Sequence, residues 1–398
     1  MSTFIPRTSC LITVVFVLGC ASAALAQHDS GTITGGGMTG GGTTRTTSTK
    51  PVGSTTPRRT TTPALPARRV PTRTPSDSRT TSAESYYQQG ETLYAAKKYS
   101  EALEEYLKAV EINPSMGTAL YRIGWIYNDL EDYSSALDFL KRTIAVQPNN
   151  AAANFELGYA LRKLERYSES LAAFNNTIRI KPDYAGAHYE IGWIYNEQKN
   201  YQEAERELRS AISIKSDYPE AYNELGYALR HLGRYPQSIQ AYDEAIRLNA
   251  DMGLAHLGLA DVYYYNTKQY TDAAREYKRG LELKPGNATA EYNLGWCYND
   301  LERYNEAVVE LRKAIEIRPN YPEAHNELGY ALHQLSRYSE AVQSYMIAIQ
   351  QKSGYASAHY NLGMSYIALR NRSGALQQYR ILQSIDPTRA KKLSDQIK

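Results

Sequence analysis

Histidine and cysteine could catalyse a reaction or bind a metal in this chain, but their spacing favours neither role. The 398 residues include seven His and three Cys, and no His or Cys has a second one at metal-ligand spacing. Cys297 lies beside Trp296 in a helical pattern, which is typical of a small buried residue. Residues 35–42 are Gly-rich but precede no strand or helix pattern, so they predict no phosphate-binding loop. We expect no catalytic residue, no metal and no cofactor.

The acidic and basic residues narrow the function further. Glu224 and Glu327 recur within the same heptapeptide, which favours charges on a helix surface over an acid–base pair. The net charge is +3, but residues 28–82 hold eight basic residues against two acidic ones, which leaves the rest of the body acidic. We therefore expect no nucleic-acid partner.

Glycines and small residues define a repeat of 34 residues. Gly124, Gly158, Gly192 and Gly226 are each followed twelve residues later by Ala or Ser, within segments whose apolar residues fall at helical spacing. Glycine in a helix costs about 1 kcal/mol relative to alanine, so its recurrence predicts close contact between two helices, as of Gly226 with Ser238. One hairpin cannot bury its apolar faces alone, and stacked hairpins share a continuous core.

This pattern resembles the tetratricopeptide repeat (TPR) family, whose signature is a bulky residue, Leu-Gly, Tyr, and later Ala, an aromatic residue, Ala and Pro. The resemblance implies an all-α fold, a right-handed α-solenoid of about nine helical hairpins over residues 83–389, with a C-terminal cap at 390–398. The units begin at residues 83, 117, 151, 185, 219, 253, 288, 322 and 356. The sixth has Ala260 in place of Gly and one extra residue within 263–267, which we expect to lengthen its turn.

In this family the first helix of each unit lines a concave groove, with unit positions 2, 5, 9, 12 and 13 pointing into it. The resemblance therefore implies an aromatic groove interleaved with Asn, Arg and His. Its predicted residues are Tyr121, Phe155, Tyr189, Asn223, Tyr292 and Asn326 at position 5, Trp125, Tyr159, Trp193, Tyr227, Trp296 and Tyr330 at position 9, and Asn128, Arg162, Asn196, Arg230, Asn299 and His333 at position 12. Asp129, Lys163, Glu197, His231 and Asp300 follow at position 13.

Such a groove suits an extended peptide, because rings offer apolar area and Asn side chains can hydrogen-bond a backbone. We predict a non-catalytic scaffold that binds a protein or peptide. Two alternatives stay open: a solenoid that binds cell-wall polymer or other carbohydrate, favoured if the tryptophan face is exposed and flat, and side chains that only pack unit against unit.

The N-terminal 26 residues predict an export signal. Arg7 supplies its positive charge, residues 11–18 its apolar core and residues 24–26 an Ala-Leu-Ala cleavage site. Alternatively, Cys20 ends a run that resembles a lipobox and would then be acylated. The protein is expected to be periplasmic, envelope-associated or secreted.

Residues 27–82 consist almost wholly of Gly, Thr, Ser, Pro and Arg. Such a composition has too little apolar surface to offset its conformational entropy, so it predicts a disordered linker. No later stretch approaches the ~18 uncharged apolar residues that a transmembrane helix needs.

Overall fold

The computed structural model describes residues 76–397. The predicted signal, Cys20 and the predicted linker up to residue 75 lie outside the described residues. Within the described range the chain is all-helical, with nineteen helices and no strand. None of these helices is long and apolar enough to cross a membrane.

Eighteen of the helices form nine hairpins, as the repeat predicts. The first helices are α1 (Ser76–Ala95), α3 (Gly117–Asp129), α5 (Ala151–Lys163), α7 (Ala185–Glu197), α9 (Pro219–His231), α11 (Gly253–Asp261), α13 (Ala288–Asp300), α15 (Pro322–Gln334) and α17 (Ala356–Ala368). The second helices are α2 (Tyr99–Ile112), α4 (Tyr133–Val146), α6 (Tyr167–Ile180), α8 (Tyr201–Ile214), α10 (Tyr235–Leu248), α12 (Tyr270–Leu283), α14 (Tyr304–Ile317), α16 (Tyr338–Gln351) and α18 (Arg372–Ile385).

The unit boundaries agree with the sequence pattern except at the first unit. From the second unit onward, each first helix begins at the residue where the unit was expected to begin. Helix α1 instead begins at Ser76, before the expected boundary at Ala83, so the last residues of the predicted linker are helical. Those residues carry no apolar periodicity, which is why composition assigned them to the linker.

Recurring glycines bring the two helices of a hairpin together. A Cβ on Gly226 would lie 2.9 Å from the ring of Tyr242, a clash that only glycine avoids. The hydroxyl of Ser238 donates to the carbonyl of Gly226 at 2.7 Å. The predicted contact between Gly226 and Ser238 is confirmed, and the glycine makes room for a large buried ring.

The extra residue of the sixth unit lies in its first helix and not in its turn. Residues Val262–Thr267 form a π-helical segment directly after α11. Lys268 then adopts left-handed backbone with φ 58°, as Glu302 does in the next unit with φ 56°. The expectation of a longer turn was therefore wrong: the turn keeps its geometry, and one wider helical turn accommodates the insertion.

Helix α19 (Pro387–Gln396) covers the last hairpin. Ala390 and Leu393 are buried, and Leu393 packs against Gly363, where a Cβ would lie 2.5 Å from its side chain. This confirms the predicted C-terminal cap, although the helix begins at Pro387.

Candidate binding face

First helices of neighbouring units lie side by side: contacts join α3 through α11 in succession, and α13 through α17. We call the side of these helices that carries unit positions 5, 9, 12 and 13 the inner face. All predicted groove residues lie at these positions.

Three aromatic side chains at position 5 pack against another ring of their own unit. The ring centroid of Phe155 lies 4.9 Å from that of Tyr184, the last residue of the same unit. The equivalent pairs are Tyr189 with Tyr218 at 5.0 Å and Tyr292 with Tyr321 at 4.9 Å.

The other members of position 5 are also engaged. Asn223 and Asn326 donate to the carboxylates of Glu224 and Glu327, at 3.3 and 3.0 Å. Tyr121 is half-buried, and burial raises the pKa of its phenol. Packing, one of the two interpretations left open, therefore describes position 5 better than a free groove does.

Position 9 aromatics lean on the preceding unit. Five of the six contact the tyrosine that begins the second helix before them, as Trp125 does with Tyr99 at 6.2 Å between ring centroids. The same contact joins Tyr133 to Tyr159, Tyr167 to Trp193, Tyr201 to Tyr227 and Tyr304 to Tyr330, at 6.2 to 6.4 Å. Trp296 packs instead against Tyr264 and Tyr292, at 5.6 and 5.5 Å.

The asparagines of position 12 are struts between units. Asn128 is 5% exposed and donates to the carbonyl and the carboxylate of Glu156 in the next unit, at 3.1 and 2.8 Å. Asn196 and Asn299 donate in the same way to the equivalent glutamates of the units that follow them. Because their N–H groups already have these partners, the amides offer no free donor to a peptide backbone.

The basic residues and the histidine of position 12 also pair across units. Arg162 lies 2.6 Å from the carboxylate of Glu190. The matching contacts are Arg230 with Asp261 at 2.6 Å and His333 with the hydroxyl of Ser365 at 2.9 Å. These side chains hold neighbouring units together and leave little free for a ligand.

Glu224 and Glu327 were expected to be charges on a helix surface, but both are partly buried and accept hydrogen bonds from Asn196 and Asn299. Burial raises the pKa of Glu156 and of Glu224 to about 7, opposed by the hydrogen bonds from Asn128 and Asn196. The pKa of Glu327 is raised for the same reason. A sequence signal was available: each Asn at position 12 is followed 28 residues later by a Glu.

Cys297 packs as expected, and two histidines at unit position 4 pair with glutamates. His188 and His256 bond Glu207 and Glu276 of their own hairpins, at 2.8 and 2.7 Å. Cys297 is free and buried, and burial raises the pKa of its thiol. Within the described residues no group of three or more His, Cys, Asp or Glu is arranged to hold a metal ion.

Family models agree with the hairpin geometry. Models described as tetratricopeptide repeat match residues 83–116 and, in overlapping windows, 121–185, 155–219 and 189–253. A model described as TPR repeat matches residues 297–336 and 329–369. Together these matches cover more than half of the chain. The chain belongs to the tetratricopeptide repeat family. TPR proteins of this architecture are scaffolds for protein interaction.

Several solved TPR structures resemble the chain over part of its length. YrrB, described as a TPR protein with an unusual peptide-binding site, is 25% identical, with 47% of this chain and 97% of YrrB covered and a TM-score of 0.45. A tetratricopeptide repeat protein from Parabacteroides merdae is 16% identical, with 63% and 99% covered and a TM-score of 0.48. PilF of Pseudomonas aeruginosa is 18% identical, with 53% and 96% covered and a TM-score of 0.45. No curated protein sequence matches the chain.

Fewer side chains are accessible on the inner face of this TPR solenoid than the predicted groove contains. The position 9 rings remain half-buried, except Tyr159, which is 3% exposed. Three carboxylates at position 13, Asp129, Glu197 and Asp300, are exposed directly beside them. The accessible surface is therefore a row of ring edges and faces flanked by charge.

Proposed function

We propose that this protein is an exported, non-catalytic scaffold that binds an extended polypeptide segment along its inner face. The observation that carries the proposal is the row of half-exposed rings at one register. It comprises Trp125, Trp193, Tyr227, Trp296 and Tyr330. Because each ring is already held at one edge by a neighbouring aromatic residue, it loses little conformational entropy on binding. A repeated apolar row along a solenoid matches a chain that is itself periodic.

The same contacts argue against the carbohydrate alternative. Stacking on a sugar requires a flat and open ring face. The guanidinium of Arg162 lies over the ring of Trp193 at 4.5 Å, and Tyr94 packs against Trp125 at 5.4 Å between centroids. The tryptophan face is neither flat nor fully exposed, so the condition that would favour carbohydrate is not met.

Selection of displayed random dodecapeptides on the immobilised protein tests the binding proposal. We expect the selected peptides to bind the native protein and to lose binding to the triple variant Trp125→Ala, Trp193→Ala, Trp296→Ala. A matched control is Val309→Ala with Met346→Ala, which removes exposed apolar side chains from the second helices α14 and α16. Circular dichroism must show equal helicity in all three proteins. Peptides that bind the tryptophan variant as tightly as the native protein would place the site elsewhere.

Export is the second part of the proposal, and it rests on the sequence of residues 1–26. Expression of the full chain in a bacterial host, followed by fractionation and mass spectrometry of the mature N-terminus, tests it. A mature protein that begins at Gln27 supports signal cleavage, and one that begins at an acylated Cys20 supports a lipid anchor. Recovery of the uncleaved chain in the cytoplasm would contradict both.

A further inference from the structure

Units two, four and seven share one arrangement on the inner face: a tryptophan at position 9, an asparagine at position 12 and an acid at position 13. In unit two these residues are Trp125, Asn128 and Asp129. The asparagine Oδ1 atom is buried without a hydrogen-bond partner in the described chain, and the same is true of Asn196 and Asn299. Carboxylates, amide oxygens and the faces of aromatic rings all attract positive charge or hydrogen-bond donors. The charged side chains that the register offers at position 13 are therefore all acidic, at Asp129, Glu197 and Asp300.

The exposed carboxylates of this register lack ionic partners. Within the described residues neither Asp129 nor Glu197 lies within 4.0 Å of a cationic nitrogen. Burial raises the pKa of both, and nearby Arg162 opposes the rise at Glu197. A carboxylate that has lost part of its hydration without gaining a counter-ion is favourably placed to bind one.

The cations of the inner face are already occupied. Arg122 pairs with Glu91, Arg162 with Glu190 and Arg230 with Asp261. Lys163 lies over the ring of Tyr159, 5.5 Å from its centroid. Among the described residues, none of these inner-face arginines is therefore left to neutralise Asp129.

A carboxylate and an aromatic ring on one first helix already bind an arginine within this molecule. The guanidinium of Arg122 donates to both carboxylate oxygens of Glu91 at 2.8 Å and lies over the ring of Tyr94, 4.6 Å from its centroid. Trp125 and Asp129, four residues apart on α3, share one helix face and offer the same two components. Glu91 and Tyr94 hold an arginine, whereas Asp129 beside Trp125 holds none among the described residues.

We propose that the polypeptide bound by the inner face is a basic segment of a partner protein, whose Arg or Lys side chains pair with Asp129 and Glu197 beside Trp125 and Trp193. This inference rests on the proposed function and adds the chemistry of the partner. The third acid, Asp300, accepts from the hydroxyl of Tyr264 at 2.9 Å and contributes less.

Fluorescence anisotropy with labelled dodecapeptides tests the charge of the partner. The probes alternate Thr with Arg, with Gln or with Glu, and each is titrated into the full chain at low and at physiological salt. We expect the Arg peptide to bind most tightly and the Glu peptide least, with an affinity that falls as salt rises. The double variant Asp129→Asn, Glu197→Gln should weaken binding of the Arg peptide by about tenfold, because it removes two ion pairs.

The matched control is Glu131→Gln with Glu165→Gln. It removes the same charge from exposed turn residues next to the inner face and should change affinity by less than about twofold. Equal binding of the Gln and Arg peptides, or equal effects of the two double variants, would overturn the proposal. If selected peptides bind through the tryptophans while the Arg peptide does not bind, only the basic partner is rejected. If no peptide depends on the tryptophans, the proposed function fails as well.

Discussion

Asn196 donates its side-chain amide to both the backbone carbonyl and the carboxylate of Glu224, 28 residues later, at 3.1 and 2.9 Å. The contact recurs from Asn128 to Glu156 and from Asn299 to Glu327. Two types of unit alternate in the sequence, and this contact gives the alternation a physical meaning: the tryptophan type supplies the donor and the unit after it supplies the acceptor.

Replacement of Asn196 by alanine should destabilise the solenoid. The change leaves the half-buried carboxylate of Glu224 without that donor, a loss of about 1 to 3 kcal/mol. Urea unfolding followed by circular dichroism measures it. Asn200→Ala is the control, because Asn200 is exposed and makes no side-chain cap hydrogen bond. Equal unfolding midpoints for the two variants would show that the contact of Asn196 with Glu224 does not stabilise the fold.

The raised pKa values predict a pH dependence of defined sign. Burial raises the pKa of Glu224 from 4.5 to about 7, so the folded state holds its proton where the unfolded state has released it. Folding stability from this group is therefore lost as pH rises from about 4.5 to 7. The Glu224→Gln variant cannot ionise at this position. Its free energy of unfolding should therefore rise relative to that of the native protein as pH increases, by up to about 3 kcal/mol at pH 8.

Chemical unfolding of Glu224→Gln and of the native protein at pH 4.5, 6 and 8 checks this prediction. The exposed residue Glu165, replaced by Gln, is the control and should give a difference that hardly changes with pH. A difference for Glu224→Gln that stays constant from pH 4.5 to 8 would show that its carboxyl titrates normally.

Gly226→Ala should destabilise the fifth hairpin despite the better helix propensity of alanine. Its Cβ would meet the ring of Tyr242 at 2.9 Å, and Tyr242 is 2% exposed and has nowhere to move. Overpacking of about 1 to 3 kcal/mol opposes a propensity gain of about 1 kcal/mol. The comparison variant is Gly354→Ala, whose Cβ would meet nothing within 4 Å. Thermal unfolding should separate the two, and a Gly226→Ala midpoint at or above the native value would refute the prediction.

Opposite substitutions at the same turn position of two units should change the stability in opposite directions. Lys199 has φ 61° and its equivalent in the next unit, Gly233, has φ 74°, and both are exposed. Left-handed backbone costs a residue with a side chain roughly 1 kcal/mol. Lys199→Gly should therefore gain about 0.5 kcal/mol, after the freer unfolded chain is allowed for, and Gly233→Ala should lose about 1 kcal/mol. Urea unfolding of both variants measures the two changes. Shifts of the free energy of unfolding with the same sign would contradict the left-handed backbone at this position.

Most of the fold could be predicted because the repeat constrains it many times over. Each unit boundary is fixed by the same glycine, alanine and tyrosine pattern, so an error in one unit is corrected by its neighbours. The two failures lie where the pattern stops. Ser76 to Ala83 has no apolar period, and the extra residue near Tyr263 could be placed in a turn or in a helix without changing the pattern.

The candidate site was less predictable, since a register states which side of a helix faces inward and not what the side chain meets there. The register gives Asn128 its unit position, but its partner, Glu156, lies on the next unit. Position 9 is read from the register in the same way, yet the contact of Trp125 with Tyr99 depends on the spacing between two units. Pairwise comparison at a separation of 28 residues would have found the first of these contacts.

Because the asparagine struts reach only the adjacent unit, a pair of neighbouring units carries both halves of its own connection. Copying such a pair would carry the asparagine and its glutamate together, so the chain could grow by duplication without separating the two. The sixth unit departs from this rule, since Tyr264 and Tyr265 of its π segment bond Asp300 and Asn293 of the seventh in place of the usual strut. The alternation of the two unit types is therefore interrupted at the sixth unit.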